Sequence, residues 1–398
     1  MNENLNEKPN STEKMNPSKK SKSFLKKISY TRKSTLPKIV VLYFIILLAT
    51  ILVYPWVSNK LYAENEFKYD IINVHEHVLS FDHLEKYYPA MEEYGISKIA
   101  FLGTPYQTFG IKDETGAVFS GYDENNTEIL KIANSDPDSF YALCTISPLD
   151  NDQLEKIKEC IYRGGTGIKL YNGHGNFYDK FNVRLDSNRM MEVYEYCEKN
   201  KIPILYHINL SKYFDETKNI LEAYPNLIID IPHFGIDSTK LTKISELLER
   251  YPNTYTDISF GAVKFTASGF RRISRRITKY KTFFEEFQDK ILFGTDLVIT
   301  DKDYKNSDYI KDATGCYRNL LEAESFYCGK IIDYYSDELE KNFRKKTTCT
   351  ENNCDNVEKN ITKYERYIDE MTNANGLALD EEILKKIYEE NPKKFLGL

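Results

Sequence analysis

No acidic residue interrupts the stretch from Lys19 to Lys38, which carries eight basic residues, and no charge of either sign interrupts the nineteen residues from Ile39 to Val57. The first absence excludes a tail that folds alone, because a charged polar segment has too little apolar surface to bury. The second excludes an ordinary core helix, which keeps a polar stripe along one side. At about 1.5 Å rise per residue such a run nearly spans a hydrocarbon layer of about 30 Å, so Ile39–Val57 is predicted to cross a membrane. Internal repeats are lacking too, and so is low-complexity sequence outside the tail, leaving one unrepeated domain.

Net positive charge is also lacking. Residues 1–38 hold ten Lys or Arg against Glu3, Glu7 and Glu13, a net +7; since the whole chain is −6, everything from residue 39 onward carries −13. An acid excess of that size argues against a nucleic-acid partner. Because the basic cluster lies wholly on the N-terminal side of the apolar run, the N-terminus is expected to stay in the cytoplasm and the rest to face the outside of the cell as a single-pass protein. Cleavage after Ala63 is the competing reading, but Leu61 is large for a signal-peptidase site and the apolar run is long for a signal core, so a retained anchor is preferred.

Cysteine is sparse, at seven residues. Cys144, Cys160 and Cys197 fall in or beside apolar segments and read as buried thiols. Cys316 with Cys328, and Cys349 with Cys354, are close pairs in polar stretches, where an oxidising exterior permits disulfides. A zinc site at Cys349 and Cys354 lacks a second ligand pair.

The 41% apolar content is ample for a sizeable core. From residue 69 onward, eight short apolar runs alternate with amphipathic stretches: 70–78, 97–103, 140–147, 166–171, 203–208, 227–232, 254–260 and 291–298. Helical patterns lie between them, for example over 150–162, 188–199, 238–250 and 282–290. Continuously apolar strands separated by helices belong to a parallel sheet covered on both faces, and eight of them predict a (β/α)8 TIM barrel. The expected organisation is a disordered tail (1–38), a transmembrane helix (39–57), a linker (58–68) and a barrel (69–398) that closes with a helix near 380–395. A polar insertion over about 301–377, after strand eight, would land on the catalytic face as a lid or partner-binding appendage.

Histidine is the scarcest informative residue, with six copies, and four of them end strands. His75 and His77 close the first strand, His207 the fifth, and His233 follows the sixth, while Asp296 sits in the Gly294-Thr295-Asp296 run of the eighth. A parallel barrel delivers all strand C-termini to one mouth, so these distant residues are predicted to converge. Positions i and i+2 point the same way, so His75 and His77 can grip one ion while Glu76 points outward. A water on zinc or a similar divalent ion falls in pKa towards about 7, with Asp296 as the general base that takes its proton. One His-x-His pair alone is commonplace; the joint placement is what carries the reading.

His75-Glu76-His77, Gly167-Ile168-Lys169-Leu170, His207, His233, Gly294-Thr295-Asp296 and the terminal Asn391–Leu398 run together resemble the amidohydrolase superfamily, in particular its amidohydrolase-related (amidohydrolase 2) branch. The likeness covers about residues 69–300 and 378–398. It implies metal-dependent hydrolysis of amide or ester bonds, with some members acting on lactones or phosphoesters or decarboxylating aromatic acids, and it implies His75, His77, His207 and Asp296 as ligands. By the same resemblance Lys169 stands where binuclear relatives carry a carboxylated lysine bridging two ions, with His207 and His233 on the second; in mononuclear relatives His233 is a catalytic acid or base. Lys169 binding a substrate anion, or forming a plain salt bridge, are the other readings.

Weaker signals surround this set. His174 and Asn172, beside Gly173 and Gly175, are candidates for lining the pocket or for a solvated turn. Lys264 with Arg271, Arg272, Arg275 and Arg276 could receive an anionic substrate or form a solvated helix face, the latter preferred. His83 reads as structural. The sequence thus predicts a metal-dependent hydrolase of a small-molecule substrate, using one or two divalent ions; a decarboxylase or phosphoesterase of the same superfamily, or a silent surface binding module, are the rivals.

Overall fold

The computed structural model describes residues 67–237, 239–334 and 374–398, together with Thr362, Arg366 and Glu370. The expected tail, membrane span, most of the linker, and Cys349 and Cys354 lie outside the described residues. Among those described, no helix is long and apolar enough to cross a membrane.

Eight strands, β1 (Ile71–Glu76), β2 (Ile96–Leu102), β3 (Phe140–Thr145), β4 (Gly167–Leu170), β5 (Ile204–Tyr206), β6 (Ile229–Asp230), β7 (Thr254–Asp257) and β8 (Ile291–Leu292), pair in sequence order. Every neighbouring pair is parallel. Beyond β8 the chain returns to β1, with the amides of Val74, Asp296 and Ile299 donating to Phe293, His75 and His77 carbonyls at 3.0, 2.7 and 2.7 Å. The result is a nearly closed barrel, consistent with the predicted TIM barrel. Seven of the eight strands are shorter than their apolar runs because the runs continue into the mouth, where backbone ladders give way to turns; β2 keeps the full seven residues but begins one earlier, at Ile96.

The covering helices are α1 (Tyr88–Tyr94), α2 (Tyr122–Ser135), α3 (Gln153–Tyr162), α4 (Asn188–Asn200), α5 (Leu210–Ala223), α6 (Thr242–Arg250), α7 (Val263–Ser274), α8 (Ile277–Glu286) and α9 (Ser307–Glu322). The pattern over 282–290 belongs to a helix that starts and ends earlier, and that over 238–250 starts only at Thr242. Inside the barrel Ile72, Val74, Ala100, Leu102, Leu143, Leu205 and Leu292 form one cluster, joined from the far end by Phe395 and Leu396 of the C-terminal helix. A larger apolar layer packs between strands and helices.

The expected polar insertion is corrected at its start. Ser307–Glu322 is a regular helix capped by Asn306, whose side chain accepts the Tyr309 amide, and it buries Tyr309, Ile310, Ala313, Cys316, Tyr317, Leu320 and Leu321. Arg318 donates to the Tyr94 carbonyl at the end of α1 (3.2 Å), so α9 completes the helical ring where the barrel closes. Cys316 and Cys328 are disulfide-bonded, as expected, although both are buried. Cys144 and Cys160 are also bonded to each other rather than free, tying β3 to α3, because both side chains point into the same strand–helix interface. Cys197 is a buried thiol.

Candidate functional site

A β-bulge sets the first two imidazoles. Asn73 pairs with Ile99 and Glu76 with Phe101, so β1 spends one residue more than β2 between these points. Strict alternation from inward-facing Ile72 and Val74 would send His75 outward; the extra residue turns it inward, and His77 with it, while Glu76 faces the helix layer. Close approach of β8 requires Gly294, where an added Cβ would lie 2.8 Å from the His75 Cβ.

His75 and His77 are 0% and 2% exposed, and Asp296 8%. His75 Nε2 lies 3.2 Å from His77 Nε2, and Asp296 Oδ1 lies 3.7 and 3.2 Å from these nitrogens. His233 Nε2 approaches the other carboxylate oxygen, Oδ2, at 3.6 Å.

The opposite ring nitrogens fix the tautomers. His75 Nδ1–H donates to Asp257 Oδ2 at 2.5 Å. Thr104 gives its own proton to the Leu102 carbonyl, so it accepts from His77 Nδ1–H at 2.6 Å. His233 Nδ1–H donates to the Ser259 carbonyl at 2.8 Å. Each Nε2 therefore presents a lone pair toward Asp296. Burial pushes His75 down to about 4 against the pull of Asp296 and Asp257, and lowers His77 as well. Burial works against the charge on Asp296, yet His75, His77 and His233 hold its carboxyl below the ordinary range. In the same way, Asp257 is held at about 2 by His75 despite its burial.

Two imidazole lone pairs and a carboxylate oxygen facing one another without a donor form an arrangement that a cation satisfies. The ligand atoms of His75, His77 and Asp296 all lie within 4.8 Å of one another. Nitrogen and carboxylate donors backed by carboxylate, hydroxyl and carbonyl groups suit zinc or a similar divalent ion. The donor set thus fits the metal that the sequence implies. His207 and His233 lie outside this tight group. His207 packs beside His233, with ring centroids 5.0 Å apart, and beside His174 at 4.4 Å. Burial, followed by His174 and His233, lowers His207 far below its usual value. Lys169 is fully buried with no hydrogen-bond partner for Nζ, and burial pushes it down to about 8 against Asp296, Asp257 and Asp230.

A second group, His75, Asp230 and Asp257, is equally tight. Since Asp257 already takes the His75 Nδ1–H, this group reads as backing for the first. Burial and the neighbouring Asp257 raise Asp230 well above a normal carboxyl. Sequence reasoning missed Asp230, Asp257, Ser259 and Thr104; the one available signal was an acid inside each of the apolar runs 227–232 and 254–260.

Over the ligand atoms opens a cavity of about 910 Å³, lined by His77, Tyr171, His174, His207, His233 and Asp296 within and by Phe265 and Arg272 further out. His174 is therefore a wall residue rather than a solvated turn, and its Nδ1 accepts the Asn176 amide at 3.0 Å. The arginine cluster splits: Arg271 and Arg275 pair with Glu370, Arg276 donates to the Thr239 carbonyl, and Arg272 alone of the four lines the cavity. His83 is structural, held by Ser80 and Asp301 at 2.8 Å each.

A parallel barrel with histidines and an aspartate converging at its C-terminal mouth defines a class of metal-dependent TIM-barrel enzymes. A family model described as Amidohydrolase matches residues 72–324, and the chain belongs to that family, in its amidohydrolase 2 branch. No curated protein matches the chain in sequence. Similar solved structures include a probable 2-pyrone-4,6-dicarboxylic acid hydrolase from Acinetobacter baumannii with citric acid bound (12% identity, 83% of this chain, 100% of that chain, TM-score 0.47). An amidohydrolase from Burkholderia multivorans with bound zinc is 11% identical over 63% of this chain and 91% of that chain, with a TM-score of 0.46. A 2,6-dihydroxybenzoate decarboxylase from Rhizobium is 15% identical over 62% of this chain and 91% of that chain, with a TM-score of 0.40.

Proposed function

We propose that this amidohydrolase-family protein hydrolyses an amide, ester, lactone or related bond of a small molecule bound in the 910 Å³ cavity. The observation that carries this reading is the set of acceptors around Asp296, two Nε2 lone pairs and Oδ1, mutually within 4.8 Å and lacking any donor. His75, His77 and Asp296 would hold a divalent cation, zinc by donor type; His207, which the family resemblance implies as a further ligand, lies outside their tight group. Such a cation, when bound, supplies Lewis-acid polarisation of the electrophile and a more acidic water. Asp296 Oδ2 is turned away from the His75–His77 pair and takes the proton of the attacking water. His233 Nε2, 3.6 Å from that oxygen, receives it and returns it to the leaving group. Asp257 keeps His75 in the ligating tautomer. Lys169 is available to a substrate anion or, carboxylated, to a second ion.

The exported, membrane-anchored placement remains our reading of the charge pattern, and it is supported by the Cys144–Cys160 and Cys316–Cys328 disulfides, which suit an oxidising exterior. An impermeant protease added to intact cells is expected to digest the barrel and spare the basic tail.

The function is tested by elemental analysis of the purified full chain together with an ester, lactone, phosphoester and aromatic-acid screen. At least one divalent ion per chain and turnover abolished by His75→Ala are expected. Protein that holds no ion and a His75→Ala variant of unchanged activity would sink the reading; carbon dioxide release without hydrolysis would replace hydrolase with decarboxylase.

A further inference from the structure

We infer that Glu76, the residue between the two ligand histidines, is a positioning residue that clamps the left-handed turn carrying Asp296, with Lys305 as its counterpart on the other side of that turn. The inference rests on the metal reading above and extends it to a side chain that never faces the cavity.

Asp296 and Val298 both have positive φ, 54° and 52°. Aspartate tolerates this region; valine, branched at Cβ, rarely does. The pairing of this segment to β1 skips the turn itself, since Asp296 and Ile299 donate to His75 and His77 carbonyls while Leu297 lies between them. Both polar backbone groups of Leu297 are held instead by side chains. Its amide donates to Glu76 Oε2 at 3.1 Å, and its carbonyl accepts from Lys305 Nζ at 2.5 Å.

Glu76 is fully buried, and its carboxylate is saturated. Oε1 accepts from Asn73 Nδ2 at 2.9 Å and from the Thr295 hydroxyl; Oε2 accepts from Tyr87 at 3.1 Å as well as from Leu297. Asn73 also donates to Thr295 Oγ1 at 3.0 Å, closing a ring of contacts around the residue that precedes Asp296. Lys305, 5% exposed, is braced by the Tyr309 hydroxyl at 3.2 Å. One carboxylate is therefore adjacent in sequence to His75 and His77 and bonded to the residues on either side of Asp296. It fixes the spacing of all three ligand atoms at once. A buried acid satisfied by four donors is more than packing needs on the outer face of a strand; an apolar residue would fill that place.

The test is Co²⁺ titration of the metal-free full chain in detergent, followed by the visible d–d absorption, for wild type, Glu76→Gln, Thr295→Val and Lys305→Met, with thermal unfolding of each metal-free protein. A glutamine turns two N–H groups toward existing donors, whereas valine removes one hydroxyl and keeps the shape. Loss of an outer-shell partner weakens metal binding by about 10- to 100-fold. That loss is expected for Glu76→Gln, with a smaller one for Thr295→Val and Lys305→Met, each accompanied by a changed d–d band. Variants that unfold earlier yet bind Co²⁺ with wild-type affinity and spectrum reduce Glu76 to a structural residue and overturn the inference. Should Glu76→Gln fail to fold, Thr295→Val and Lys305→Met decide alone. A wild-type chain that does not bind Co²⁺ removes the metal reading itself, a result distinct from equal affinities.

Discussion

Gly261 stands against the Asp296 carboxylate so closely that a Cβ there would lie 2.7 Å from Oδ2, and its own φ is +77°. Gly261, four residues beyond the end of β7, thus sets how far the carboxylate can swing away from the His75–His77 pair. Gly261→Ala is expected to cost about 1 kcal/mol of stability from the positive φ alone. The larger effect falls on the site, because the methyl pushes Oδ2 off its line to His233. Metal titration and urea denaturation should show at least a tenfold loss of affinity or turnover with only that modest loss of stability. Wild-type affinity in a folded Gly261→Ala protein would show that the carboxylate has room to move.

Asp257 never reaches the cavity wall, yet its Oδ2 takes the His75 proton while Oδ1 accepts from the His233 amide and the Ser259 hydroxyl at 2.9 and 2.7 Å. Asp257→Asn keeps the shape but offers an amide that can bind either tautomer of His75. Metal affinity is expected to fall about 10- to 100-fold. Nitrogen NMR of the histidine side chains supplies the check: the His75 proton should become divided between Nδ1 and Nε2. An unchanged Nδ1–H signal would remove Asp257 from this role.

What the sequence made legible follows from what a barrel conserves. Strand order and the common mouth are topological, so His75, His77, His233 and Asp296 could be brought together without knowing a single distance. The inward turn of His75 was reached by assuming regular alternation, whereas it depends on an extra residue in β1 that no periodicity reveals. Asp230 and Asp257 were passed over because a single acid inside an apolar run does not show in sequence which face of the strand it takes or what it backs, and only the folded barrel sets both against His75. Ser307–Glu322 shows the opposite failure. Its apolar residues recur at helical spacing, but the charges between them outweighed the stripe, and a closing helix read as an insertion. Cys144 and Cys160 were judged by the polarity of their neighbours, while pairing depends on a strand and a helix facing each other.

The two disulfides span 16 and 12 residues, so each constrains a short loop of the unfolded chain. Loss of either is expected to cost about 3 kcal/mol, within the ordinary range for loops of this length. Alkylation under non-reducing conditions should leave Cys144, Cys160, Cys316 and Cys328 unmodified in denatured protein, and all four should react after reduction. Urea unfolding with and without reductant measures the stability term. Label on Cys144 or Cys160 before reduction would return that pair to the thiol state expected from sequence.

Lys169 is an amine in the wrong place for stability: fully buried, without a hydrogen-bond partner, and pushed by burial from 10.5 to about 8. Methionine fills the same volume without that cost, so Lys169→Met is expected to raise stability at neutral pH while cutting turnover at least about 100-fold, the trade expected of a functional site. The pH dependence has a definite sign. Below about 8 the folded and unfolded chains both hold the lysine proton, and the penalty is at its full size. Between about 8 and 10.5 the folded chain has released a proton that the unfolded chain keeps, so wild-type stability rises with pH relative to the variant. The advantage of Lys169→Met should therefore shrink through that window, by no more than about 1.4 kcal/mol per pH unit. Urea unfolding of both proteins from about pH 7 to about pH 10 measures it. A gap that stays constant shows that Lys169 does not enter the window as a free amine, and intact-mass detection of a carbon dioxide adduct then identifies the carboxylated form.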